Sequence, residues 1–249
     1  MGILFAELEL RITNMKRYKF NSIFSIFLLY LIFVGLYGGL SNIGGNVGEY
    51  FRDNNVSFLF GYIFVMIILS GIGGVSGDIT TYAKIGVLEQ LFLSYLPFSI
   101  SLMISNLINI LFQVVLIFII MFLSMITFSI SINLSIMHLI ILLLALLQAY
   151  GIGLVIGGLA IVFKKITSFV GIFQFLLYPL AFTNVNEPYV WFLPINPGVR
   201  LLKDITANTL NYINLSYFII NSIIYFIIGL IFFDICINFS RKHGTIGIY

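Results

Sequence analysis

The chain has 249 residues, of which 61% are hydrophobic and 8% charged, with a formal net charge of +3. A soluble domain carries about 25% charged residues, so a soluble fold is excluded, and apolar runs of about 20 residues read instead as transmembrane helices. The runs are apolar on all faces and do not alternate every second residue, which argues against a transmembrane β-barrel, and the lone Cys236 leaves no internal disulfide and no thiolate metal site.

The expectation is an all-α integral membrane protein, a single domain over 1–249, with six transmembrane helices. Residues 1–19 read as an amphipathic helix, with Leu4, Phe5, Leu8, Ile12 and Met15 on one face and Glu7, Arg11, Lys16 and Arg17 off it. Such a helix lies in the membrane interface rather than crossing it. No small-residue cleavage site follows the first span, so no cleavable signal is expected. Span one is placed at 20–39, followed by a Gly- and Asn-rich loop over 40–55 that carries Glu49, Arg52 and Asp53. Span two is placed at 56–77, and 78–96 reads as a short amphipathic segment joining it to span three at 97–128. A polar break at 129–135 precedes span four at 136–163, and Lys164-Lys165 marks a tight turn into span five at 166–182. Residues 183–211 are mixed and hold three of the five prolines; span six is placed at 212–239, with a short basic tail after it.

Orientation follows from Lys and Arg in the short connections. With the N-terminus inside, Arg11, Lys16, Arg17, Lys19, Lys84, Lys164, Lys165, Arg241 and Lys242 are inside, and only Arg52, Arg200 and Lys203 are outside. Both termini are therefore expected in the cytoplasm. Spans three and four are longer than a crossing needs, so they tilt or project. No internal repeat supports an inverted-repeat carrier.

Three sets of residues within the spans attract attention. Gly73 and Gly77, with Ser70 and Gly74, and Gly153 and Gly157 have the Gly-x-x-x-Gly type of spacing that lets helices approach closely in lipid. Asn106, Asn109 and Gln113 share one face of span three, and Gln148 and Tyr150 lie in span four. These side chains are either a candidate translocation path (Asn106, Asn109, Gln113, Gln148) or hydrogen-bonding glue between helices, the latter favoured. Asp234 is the one acid inside an expected span, near its inner end. His138 reads as an interfacial residue near the outer end of span four.

In 78–96, Leu88, Leu91, Phe92 and Tyr95 form one apolar stripe while Lys84, Glu89 and Gln90 point elsewhere. The run Gly86-Val-Leu-Glu-Gln-Leu91 resembles the Gly-Thr-Leu-Glu-Gln-Leu run in the cytoplasmic coupling segment of ABC-2-type permeases, the membrane halves of ATP-driven exporters. Val87 stands where the family has Thr, and Tyr82-Ala83-Lys84-Ile85 keeps the family's base but not its acid. Trp191-Phe-Leu-Pro194-Ile-Asn196-Pro197 resembles the Pro-x-x-Asn-Pro segment before the last span of the same family.

The resemblance implies a cytoplasmic coupling helix in which Lys84, Gly86, Leu88, Glu89 and Gln90 contact an ATPase. It also implies a re-entrant helical segment over 183–211 in which Trp191, Pro194, Asn196 and Pro197 form an extracellular gate. Two copies of a separate ABC ATPase subunit, binding ATP and Mg, and a second permease subunit, identical or related, would complete the transporter in the cell membrane of a prokaryote. The chain itself has no P-loop, since no Gly is followed by Lys. No catalytic set and no metal or cofactor site is recognised, and no nucleic-acid partner is expected. The nearly uncharged spans favour a hydrophobic or amphipathic substrate: a drug, a lipid-like molecule or an antimicrobial peptide, with multidrug or antimicrobial resistance as the setting. A cell-surface polysaccharide or wall polymer is the alternative within the family, and an ATPase-independent channel or membrane scaffold is the alternative of another class.

Overall fold

The computed structural model of the chain describes residues 2–84, 86, 90, 98–130, 135–163, 166–182 and 192–242. These residues form helices and connections, with no strand among them. In chain order the helices are α1 (Gly2–Arg17), α2 (Lys19–Ser41), α3 (Asn46–Asp53), α4 (Asn55–Lys84), α5 (Phe98–Phe128), α6 (Ile136–Phe163), α7 (Thr167–Phe182), α8 (Asn196–Thr206) and α9 (Tyr212–Lys242).

Five of them, α2, α4, α5, α6 and α9, are long and apolar enough to cross a membrane. Helix α7, at the expected fifth span, has 16 residues; at about 1.5 Å per residue it measures about 24 Å, short of the about 30 Å hydrocarbon core. Helix α4 corrects the expected boundary after span two. It does not stop at Gly77 but runs on through Asp78 to Lys84, so the first turns assigned to a separate amphipathic segment are the end of a continuous 30-residue helix. Nothing in Asp78-Ile-Thr-Thr-Tyr-Ala-Lys breaks a helix, and Gly86, the first described residue past α4, lies at φ +72° in the left-handed region that ends helices. The loop expected over 40–55 also holds a helix, α3, which carries Glu49 in its first turn and Arg52 in its last, matching the helix dipole at both ends.

Helix α6 is the centre of the bundle, packed between α4 and α9. The three approach so closely that glycine is required at the crossings. A Cβ on Gly71 of α4 would lie 2.5 Å from the Ala149 carbonyl oxygen of α6. Gly153 abuts the backbone of Gly71, and Gly151 abuts Gly229 of α9. Gly157 meets Val75 and Ile79, and Gly158 meets Cys236. Of the small-residue pairs read from the sequence, Gly153 and Gly157 serve this packing. Gly73 and Gly77 do not: a Cβ on Gly73 would meet only Gln174 Nε2 at 4.0 Å, and one on Gly77 would meet nothing. The reason is angular. Gly71, Val75 and Ile79 recur every fourth residue toward α6, and a residue two further on is turned by about 200°.

Outside this core the helices present apolar side chains outward. Phe20, Phe24 and Phe27 of α2, Phe122 and Ile126 of α5, Ile172 and Phe175 of α7, and Ile227 and Ile231 of α9 are all exposed. So much exposed apolar surface marks a membrane-embedded protein. At the end where α2 finishes and α4 begins, Phe33, Tyr37, Phe51, Phe58, Tyr62 and Phe128 form an aromatic cluster; the Tyr37 and Phe128 rings are 4.7 Å apart and edge-on. Tyr62 Oη donates to the Leu29 carbonyl at 2.5 Å, and Tyr30 and Thr127 share a hydroxyl hydrogen bond between α2 and α5. Arg52 donates to the Ser41 carbonyl at 3.1 Å, closing the C-terminus of α2.

Candidate functional site

Toward the opposite end, a group of polar side chains gathers inside the otherwise apolar bundle. Ser70, Gly74 and Asp78 recur every fourth residue along α4, and Asn106, Asn109 and Gln113 share one face of α5. With Tyr150 of α6 and Arg11 of α1 they line a cavity of about 200 Å³ between α1, α4, α5 and α6. Glycines on α4 leave the space: Gly73 and Gly74 line the cavity, and a Cβ on Gly74 would lie 3.3 Å from Asn106 Oδ1.

Asn106 is 4% exposed and donates its amide to the Leu102 carbonyl at 3.0 Å, which turns its oxygen toward the cavity wall on α4. Tyr150 is 6% exposed, and its hydroxyl has no hydrogen-bond partner among the described residues. Asp78 of α4 lines the same cavity. A buried hydroxyl left without a partner costs about 1–3 kcal/mol, so the chamber favours a guest that can bond to Tyr150.

A second cavity of about 390 Å³ lies alongside, between α1, α2 and α5, and shares Arg11, Phe112 and Leu116 with the chamber. Its walls are mostly apolar, with Met15, Ile26, Leu29, Val115 and Ile119, and a polar rim of Asn14, Asn21, Ser22 and Ser25. Chamber and cleft are thus neighbours, one of mixed polarity and one mostly apolar, with Arg11 lining both.

Three of the four residues read as a translocation path, Asn106, Asn109 and Gln113, meet in this chamber. The fourth does not. Gln148 faces α9 and donates to Asn221 Oδ1 at 2.8 Å, fully buried between the two helices. It is interhelical glue. Sequence reading named Tyr150 among the polar residues of the spans but missed Arg11 and Asp78 as members of the site. The stripe Ser70-Gly74-Asp78 was visible at helical spacing, but it was cut by ending span two at Gly77.

At the end of α4, Lys84 is exposed and is the last helical residue. Gly86 is exposed, and its N–H donates to the Ala83 carbonyl at 3.2 Å, closing the helix. Gln90 is exposed as well. Leu88 and Glu89, the other two residues read as ATPase contacts, lie outside the described residues, as does Trp191 of the expected gate.

The rest of that gate is buried. Pro194, Asn196 and Pro197 precede or open α8, where Pro in the first turn forfeits no hydrogen bond. Helix α8 packs on α4, α6, α7 and α9. Gly198 fits against the Phe64 ring and lies close to Phe218, leaving no room for a side chain. Tyr225 Oη donates to the Phe192 carbonyl at 2.9 Å, and Lys203 Nζ donates to Asn54 Oδ1 at 3.3 Å. Burial pushes the Asp204 carboxyl above its ordinary value, and Arg200 and Lys203 pull it part of the way back. The segment is a plug of 11 helical residues wedged among the long helices.

His138 is buried among the helices. It sits in the first turn of α6 on the Phe60 ring, with Ser135 N–H donating to Nδ1 at 3.1 Å. Asp234 is exposed on α9, so it is not an acid held inside the bundle. No known family model matches the chain, and no curated protein matches it.

Proposed function

We propose that the chain is the permease subunit of an ATP-driven exporter of the ABC-2 type. In this reading both termini are cytoplasmic and α7 completes a sixth, short crossing. Two permeases, identical or related, work with two separate ATPase subunits in a prokaryotic cell membrane. The observation that carries the reading is the run Gly86-Val-Leu-Glu-Gln-Leu91, set immediately past the end of the most buried long helix.

The placement supports a mechanical role. Helix α4 runs unbroken from the aromatic cluster to Lys84, and in this reading the ATPase pushes on its C-terminal end. Along its length α4 touches α6 through glycine contacts and lines the polar chamber with Ser70, Gly74 and Asp78. A displacement at Lys84 would reach the chamber wall through one continuous helix, and coupling in this reading requires that helix to have two arrangements. The buried α8 plug at the far end would shield the outer mouth. The chamber beside an apolar cleft suits a hydrophobic or amphipathic substrate better than a long polyanion.

The test is a pair of substitutions at the lever, Glu89→Ala and Gly86→Val. The second forces a β-branched residue to φ +72°. At matched expression both are expected to abolish ATP-dependent efflux of a fluorescent amphiphile while the fold, read by gel filtration, is retained. Efflux equal to the parent in both variants would refute the lever.

A further inference from the structure

We infer that the chamber and the adjoining cleft form one binding site, within a single chain, for a zwitterionic amphiphile. Its ammonium-bearing headgroup end lies at Asp78 and Tyr150, its anionic group lies at Arg11, and its hydrocarbon chain lies in the cleft between α1, α2 and α5.

Volume comes first. The chamber, at about 200 Å³, is smaller than the about 300–1,000 Å³ of sites for whole ligands, so it holds a headgroup and no more. The cleft, at about 390 Å³, has room for a chain and walls to match.

Charge decides the headgroup. The chamber carries one acid, Asp78, and one base, Arg11, on different helices. Arg11 also lines the cleft, so the anionic group sits at the junction and the cationic group sits deeper. A guanidinium matches phosphate oxygens in a fork, and an ammonium with three donors can reach the Asp78 carboxylate, the Tyr150 hydroxyl and the Asn106 side-chain oxygen. Tyr150 is the independent pointer to a ligand: it is 6% exposed, its hydroxyl has no partner among the described residues, and it lines the chamber. An anion alone would lie against Asp78, and a cation alone against Arg11; only a headgroup with both charges suits both ends.

The inference stands on the chamber and not on an ATPase, so it holds or fails separately from the exporter reading. Two sources share the chemistry: an aminophospholipid of the surrounding bilayer, or an amphiphile that is moved. The experiment uses the full chain purified in mild detergent. Lipids retained through purification are extracted and identified by mass spectrometry. Binding of added lysophosphatidylethanolamine is then measured by native mass spectrometry against lysophosphatidylglycerol and a primary alkylammonium of equal chain length.

Lysophosphatidylethanolamine is expected to bind at least tenfold more tightly than either single-charge amphiphile. Tyr150→Phe, which keeps the ring and removes the hydroxyl, is expected to weaken it about five- to tenfold. Asp78→Asn and Arg11→Gln should each erase the preference over the amphiphile of opposite deficiency: Asp78→Asn the preference over the anionic one, Arg11→Gln the preference over the cationic one. A retained aminophospholipid that Tyr150→Phe loses makes the bilayer the source. No retained lipid, with added ligand still bound selectively, makes a moved amphiphile the source. Equal binding of all three amphiphiles, or Tyr150→Phe binding as tightly as the parent while still folded, overturns the site.

Discussion

Replacing Gly71 by alanine adds one methyl group to α4, yet the structure predicts a loss of stability out of proportion to its size. The new Cβ would lie 2.5 Å from the Ala149 carbonyl oxygen, 2.6 Å from its carbon and 2.8 Å from its Cβ. Ordinary contacts begin near 3.4 Å, so the α4–α6 crossing must open by nearly 1 Å, and backbone cannot step aside as a flexible side chain can. A radial gap of about 0.5–1 Å forfeits a quarter to a half of each dispersion contact, worth about 0.1–0.2 kcal/mol per atom pair. Over the few tens of pairs at such a crossing the loss is about 1–3 kcal/mol, the range seen for overpacked cores. Gly77→Ala on the same helix is the control, since its Cβ meets nothing. The two variants change the same atoms in the same helix type, so propensity cancels. Unfolding of the purified chain in a mixed-micelle SDS titration should show Gly71→Ala less stable than Gly77→Ala by that amount. Equal stability of the two variants would refute the assignment of the α4–α6 crossing.

Other expectations follow from the same geometry. Gln148→Leu with Asn221→Ala, measured as a double-mutant cycle in the same titration, should give a coupling near 0.6 kcal/mol, the mean for hydrogen bonds inside membranes; zero coupling would mean the pair does not form. Gly198→Leu, driven against the Phe64 ring, should release α8 and make it cleavable by added protease; an unchanged digest would contradict its buried packing. The Asp204 carboxyl is raised in the fold from its ordinary 3.8, so it favours the folded state only when protonated. That contribution is full below the ordinary value and is lost as pH rises through the raised one. Asp204→Asn should therefore flatten the pH dependence of unfolding over that window and stabilise the chain at neutral pH by less than about 1 kcal/mol; an unchanged pH profile would remove Asp204 from the account.

What could be read in the sequence depended on how local the signal was. Helices α5 and α6 end where expected, at Phe128 and Phe163, because the apolar runs there stop abruptly at polar residues. The same rule misplaced the end of α4. Asp78 and the two threonines after it look like an interface, but a helix has no reason to stop at a membrane surface when its residues still favour one. That single error hid the acid of the chamber. Helix α3 was missed because a Gly- and Asn-rich stretch resembles a loop, although its eight residues are capped by charge at both ends. The glycine spacing found the right face of α6 and the wrong face of α4, since spacing reports that a small face exists and only the neighbour decides which one is used. Gln148 and Asn109 looked alike as polar residues in apolar helices; what separates them is that Asn221 of α9 stands opposite the first, a relation across 73 positions that no local pattern carries.

The exporter reading rests on a partner that the chain does not encode. The most direct measurement is purification of the tagged chain from its native membrane in mild detergent, with identification of what accompanies it and an assay of ATP hydrolysis. The account predicts a stoichiometric P-loop ATPase whose hydrolysis is retained in the complex and whose association is lost in Glu89→Ala. Recovery of the chain alone, with no ATPase even after cross-linking in the membrane, would contradict it.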